Sequence, residues 1–99
     1  MAFPSSVIQD AWDRQGGTCA SCCKTLVPRN RDYGTYGAWH AHHRKPLSEG
    51  GTDTLWNCVL LCINEPENCH WNVGHGGISW SYYAPLNDSE LPCLYSGRR

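Results

Sequence analysis

The stretch Trp39-His40-Ala41-His42-His43-Arg44-Lys45-Pro46, with Gly50-Gly51 just beyond it and Asn57 fourteen residues after His43, decides how this 99-residue chain is read. Residues alternate from Ala38 to His43 in a way that predicts a β-strand, with Trp39 and Ala41 on one face and His40 and His42 on the other. Adjacent imidazoles at its end can supply a metal ligand and, beside it, a base that titrates near neutral pH. Pro46 cannot donate to a ladder, so the strand ends near it, and Ser48-Glu49-Gly50-Gly51-Thr52-Asp53 reads as a turn cluster. A histidine pair is more often a surface feature than a site. The cysteines on either side shift that balance: Cys19-x-x-Cys22 precedes the pair, and Cys62 and Cys69-His70 follow it.

Seven cysteines are many for this length, and their odd number argues against a simple disulfide ladder. Met1 to Ser6 contains no apolar signal segment, so the expected compartment is a reducing one, the cytoplasm, with the cysteines as zinc ligands and buried thiols. Cys19, Cys22, Cys62 and Cys69 would form a closed four-thiolate zinc site. Its halves are separated by thirty-nine residues and the second half is C-x6-C, whereas an ordinary zinc ribbon has about 15–20 residues between its knuckles. The segment carrying the histidine pair is therefore inserted between the halves. Cys23 abuts the first knuckle and competes as a ligand, Cys58 reads as a small core residue, and Cys93 has no evident partner. A chain this short buries too little surface to do without such a staple, and it reads as one domain over residues 1–99, with its motif core at about 19–75.

Around this core, Ser6-x-x-Gln9 has capping-box spacing, and Val7, Ile8, Ala11 and Trp12 form an apolar stripe, predicting a helix from about Ser6 to Gln15 that Gly16-Gly17 terminates. Lys24 to Val27 can form a short strand stopped by Pro28, and Arg29 to Gly37 is a polar, glycine-bearing loop. Trp56 to Cys62 is the second strand or a tight connection feeding it. A helix then starts near Asn68 or Cys69 and carries His70. From Gly74 the pattern fades into an irregular tail with turns around an aromatic cluster of Trp80, Tyr82 and Tyr83. No apolar run approaches the roughly 18 residues of a membrane span. The net charge of −1 excludes the overall basic footprint of most nucleic-acid binders, so any such contact is local.

The order Cys-x-x-Cys, His-His-x-x-Pro with a trailing Gly-Gly, Asn, Leu-Cys and Cys-His resembles the HNH endonuclease family from Cys19 to about His75. His42 to Gly51 is also similar to the nuclease domains of bacterial colicins. Those lack the cysteines, so the resemblance is nearer to the free-standing zinc-bearing HNH nucleases of bacteria and phages. It implies a small zinc-stapled α+β domain, a ββα-metal finger with an added N-terminal helix. By position, His43 would be the general base, His42 and His70 would bind the catalytic divalent cation, and Asn57 would tie down the loop between the strands. Three departures stand out. His40 replaces a glutamate common three residues before the base and shares a strand face with His42. Gly74 replaces a histidine found in some relatives four residues after the one equivalent to His70; His75 follows and would be a ligand if the helix breaks before Gly74. The knuckle between Cys62 and Cys69 carries four extra residues.

The resemblance implies metal-assisted hydrolysis of phosphodiesters in DNA, or alternatively RNA, giving 5′-phosphate and 3′-hydroxyl ends. Beside the structural Zn2+ it requires a catalytic cation, Mg2+, Mn2+, Ni2+, Co2+ or Zn2+, and imidazole ligands suit the transition metals better than magnesium. Arg44 and Lys45, with Arg29 and Arg31, flank the finger and are candidates for phosphate contacts. Specificity could come from a homodimer or a partner protein, and no membrane is involved. The competing reading is a non-catalytic zinc module that binds nucleic acid or protein and has no use for His43.

Overall fold

The computed structural model describes residues 3–45, 50–77, 86–95 and 97. Helix α1 (Ser5–Gln15) leads into a cysteine knuckle and a long loop, then strand β1 (Trp39–His43), a 3-10 turn (Leu55–Asn57), strand β2 (Cys58–Cys62) and a π-helical turn (His70–Gly74). The strands form an antiparallel pair in the register Trp39↔Cys62 to His43↔Cys58. This is the expected α+β architecture, and among the described residues no helix is long and apolar enough to cross a membrane. Pro46, the Ser48-Glu49 part of the turn cluster, and Trp80, Tyr82, Tyr83 and Pro85 of the tail lie outside the described residues.

β2 is buried at every position, so its Val59-Leu60-Leu61 run forms the centre of the core, where each fully buried aliphatic side chain stabilises the fold by about 1.5–3 kcal/mol. A two-stranded sheet leaves edges whose backbone groups need partners. On the outer edge of β2 the last turn of α1 supplies them. The buried Gln15 amide accepts from the Leu60 N–H at 3.0 Å and donates to the Leu60 and Thr18 carbonyls at 3.0 and 2.7 Å. Arg14, also buried, donates to the carbonyls of Cys58 (2.6 Å) and Leu55 (3.0 Å). The stripe expected on α1 faces this core, with Ala11 fully buried and Val7, Ile8 and Trp12 packed against it.

α1 begins one residue early after Pro4, whose carbonyl accepts from Val7 and Ile8, and no capping box forms; Gln9 instead donates to Asp13. Gly16 ends the helix in the left-handed conformation (φ 66°), as glycine at that position allows. Lys24 to Val27 makes only an isolated bridge, Thr18 with Thr25. Trp56 belongs to the 3-10 turn rather than to β2 and is 59% exposed. Cys93 does have a partner: it forms a disulfide with Cys23, which removes Cys23 from competition for zinc. The described part of the tail makes a 3-10 turn (Asp88–Glu90) and contributes Leu86, Leu91 and Leu94 to the core.

Candidate active site

The knuckle places the first two thiols by local backbone bonds, Cys19 N–H to the Lys24 carbonyl (2.8 Å) and Cys23 N–H to the Cys19 carbonyl (3.1 Å). The end of β2 and the start of the π-helical turn bring up the other two. All four Sγ atoms of Cys19, Cys22, Cys62 and Cys69 lie within 4.8 Å of one another. The 3.6 Å between Cys22 and Cys62 Sγ is close to the roughly 3.8 Å edge of a tetrahedron with Zn–S bonds of about 2.3 Å. Backbone N–H groups of Cys62 and Cys69 point at Cys19 and Cys62 Sγ, both at 3.4 Å. Hydrogen bonds from Cys62 and Cys69 pull the Cys19 thiol down to about 2, and their bonds to it push Cys62 up to about 12 and Cys69 upward as well. Cys62 and Cys69 are thus held in the thiol form, and a zinc ion would offset the repulsion among thiolates gathered this closely. The donor set fits zinc.

The longer turn between Cys62 and Cys69 has a visible use. Asn64, within it, accepts from the Gly34 N–H at 2.8 Å and donates to the Thr35 carbonyl at 2.6 Å, tying the zinc knuckle to the 31–37 loop.

The second group is His42, His70 and His75, whose ring nitrogens also lie within 4.8 Å of one another. Their rings meet edge to face, with centroids 5.2 Å apart for His42–His70, 5.1 Å for His42–His75 and 4.9 Å for His70–His75. His75 reaches the group by a route the sequence reading did not foresee. The helix does not break before Gly74; it widens, and the His75 N–H bonds to the His70 carbonyl at 3.1 Å, the i→i+5 pattern of a π-turn. Residues five apart therefore share the face that residues four apart share on an α-helix. Gly74 itself lies under His42, and a Cβ there would come within 3.1–3.2 Å of the imidazole. A side chain at the position four after His70 would therefore require the His42 ring to give way by a few tenths of an ångström. Burial first, then the neighbouring imidazoles, lowers His42 to about 3 and His70 to about 4. Both are neutral at pH 7, the form that offers a lone pair to a cation.

His40 lies beside this group rather than in it. Its ring is edge-on to His70 at 5.2 Å, and its Nε2 is 3.1 Å from the Arg31 carbonyl.

His43 faces the other way. Successive strand residues point to opposite faces, so the ring leaves the His42 group and stacks on Phe3, with centroids 4.0 Å apart and planes 23° from parallel. Its Nε2 is 2.7 Å from Asp53 Oδ1, a contact hidden in sequence because Asp53 sits among turn residues. Asn57 is fully buried; its amide donates to the carbonyls of Thr52 (2.8 Å) and Lys45 (3.1 Å) and accepts from the Lys45 N–H (2.7 Å), joining the two ends of the loop between the strands. Arg44 does not present itself to a phosphate. It is buried, bonds to Asp88 (2.6 Å) and the Leu86 carbonyl (3.2 Å), and stacks on Trp56, so it secures the C-terminal segment. Arg31 is likewise engaged, over the Trp39 ring at 3.9 Å. Lys45 remains exposed. Cys58 is a core thiol, pushed up to about 12 by burial.

The sequence model of HNH endonuclease matches residues 19–76, from the first knuckle to just past His75. The chain is also similar to the type IV methyl-directed restriction enzyme EcoKMcrA of Escherichia coli (strain K12), with 33% identity over 79 residues. That match covers 78% of this chain and 28% of the enzyme, so the chain spans under a third of its relative's length.

Proposed function

The chain belongs to the HNH endonuclease family, a family of nuclease hydrolases, and on that premise we propose that it hydrolyses phosphodiester bonds of DNA with one catalytic divalent cation and His43 as general base. DNA is favoured because the relative is a restriction enzyme. The observation that carries the reading is the gathering of His42 and His75, both buried, with the half-buried His70 into one group beside a separately held His43. A structural zinc module needs the four thiols but has no use for these imidazoles.

His42, His70 and His75 would hold the cation, and their imidazole donors suit Mn2+, Co2+, Ni2+ or Zn2+. When bound, it supplies Lewis-acid stabilisation of charge developing on the phosphate and on the leaving 3′ oxygen. His43 takes a proton from water at a ring nitrogen; the water oxygen forms a bond to phosphorus as the bond to the 3′ oxygen breaks, and that oxygen takes a proton from solvent, leaving 5′-phosphate and 3′-hydroxyl ends. His42 and His43 leave one strand end on opposite faces, so His43 would act on the entering oxygen from the side opposite the residues that would hold the cation, as an in-line displacement requires. Asn57 keeps the intervening loop, and with it His43, in place. Lys45 would contact a neighbouring phosphate without reading sequence.

Incubating supercoiled plasmid with the zinc-loaded chain and each divalent ion in turn tests the proposal. Nicked or linear product with the wild type, and its loss in His43→Ala, is the expected result. A chain inert with every ion would leave the non-catalytic zinc module as the better reading.

A further inference from the structure

The contact between His43 and Asp53 assigns a role to a residue that the turn chemistry of Gly50 to Asp53 concealed. Nε2 of His43 and Oδ1 of Asp53 are 2.7 Å apart, the His43 side chain is 9% exposed and Asp53 34%, so the pair is partly screened from water. A carboxylate only accepts, so the ring nitrogen facing it carries the proton. Phe3 covers one flat face of the same ring at 4.0 Å and is itself 6% exposed. One neighbour thus fixes the ring plane and the other fixes rotation within it.

We propose that Asp53 is the positioning residue of the general base: it holds His43 in the Nε2–H tautomer and so leaves the Nδ1 lone pair as the atom that takes the proton from water. The inference rests on the reading of His43 as the base. A neutral imidazole has one donor and one acceptor nitrogen, and the bond made by one decides which is left for chemistry. With Asp53 in place the acceptor is Nδ1 in every molecule. Without it the ring divides between two tautomers and is free to turn, so only part of the population presents a lone pair to the water. After proton transfer Nε2–H still donates to Asp53, and the carboxylate stabilises the imidazolium without taking its proton, as the buried aspartate does in serine-protease triads.

The test uses the full zinc-loaded chain and two measurements. Nitrogen-resolved NMR of the neutral His43 ring should find the proton on Nε2 in the wild type and a mixture of tautomers in Asp53→Ala, with zinc content and ring contacts of His42 unchanged. Plasmid cleavage by Asp53→Ala should show kcat reduced roughly 10–100-fold or more, from the scale for partners that orient metal-bound histidines toward that for a triad aspartate, with KM unchanged and part of the loss restored in Asp53→Glu. A wild-type ring protonated on Nδ1, or an Asp53→Ala chain with wild-type kcat, would overturn the proposal. Failure of the nuclease reading is recognised separately, as a wild-type chain inert with every divalent ion; the tautomer measurement still decides whether Asp53 orients His43.

Discussion

At the scale of single residues, the site depends on burying imidazoles without protonating them. His42 and His70 are held at about 3 and 4, chiefly by burial, below the roughly 6.5 of an unfolded histidine. Between those values an unfolded chain binds protons that the folded chain refuses, so acid favours unfolding. Their contribution is fully present above about pH 6.5 and is lost as pH falls toward 4 and then 3. In protein freed of the catalytic ion but still holding zinc, the urea midpoint should be level above about pH 7 and decline below about 6.5, and His42→Ala should flatten that decline. A midpoint independent of pH in the wild type would show that the histidines are not buried neutral. His42, His43 and Asn57 stand out in the sequence by spacing alone, His43 three residues before Pro46 and Asn57 fourteen after His43. The sequence could not show Asp53 meeting His43 or Arg44 turning inward toward Asp88, because those partners depend on how the loop and the tail fold back.

At the scale of elements, β1, β2 and α1 were legible from alternation, the Val59-Leu60-Leu61 run and an apolar stripe. Which backbone groups they would leave open was not, and so neither was the use of Gln15 and Arg14 as buried partners for the outer edge of β2. The π-turn was equally hidden: periodicity arguments assume 3.6 residues per turn, and one extra residue between His70 and His75 exceeds that period unless the helix widens. The widening puts Gly74 against the His42 ring, which leads to a specific expectation. Gly74→Ala adds a Cβ that must displace the imidazole by a few tenths of an ångström, so affinity for the catalytic ion should fall by about tenfold or more, the scale of losses when a ligand's orientation is disturbed. Isothermal titration with Mn2+ or Ni2+ on zinc-loaded protein measures this. Unchanged affinity would mean that His42 is not a ligand or moves freely.

At the scale of the whole molecule, two staples join distant parts of the chain. The four-thiol group closes the long segment between Cys22 and Cys62, and the Cys23–Cys93 disulfide closes a separation of 70 residues. The cysteine pattern made the first legible; the second pairs a residue beside one knuckle with a tail residue that no spacing rule connects. Native mass spectrometry should find one retained zinc per chain, and mild chelation should abolish cleavage before it unfolds the protein, since a closed thiolate site holds its ion more tightly than an imidazole site. Cys93→Ser should lower stability by about 2–4 kcal/mol without loss of zinc, the usual range for a disulfide, as read from denaturant midpoints. Measuring metal affinity and plasmid cleavage together in His42→Ala and His43→Ala shows whether one dipeptide divides ligand and base between its two imidazoles. His43→Ala should bind the catalytic ion like the wild type while turnover falls roughly 10²–10⁴-fold, the contribution of a positioned general base; His42→Ala should bind it weakly and regain activity with excess ion. Loss of metal in His43→Ala, with binding intact in His42→Ala, would contradict the assignment.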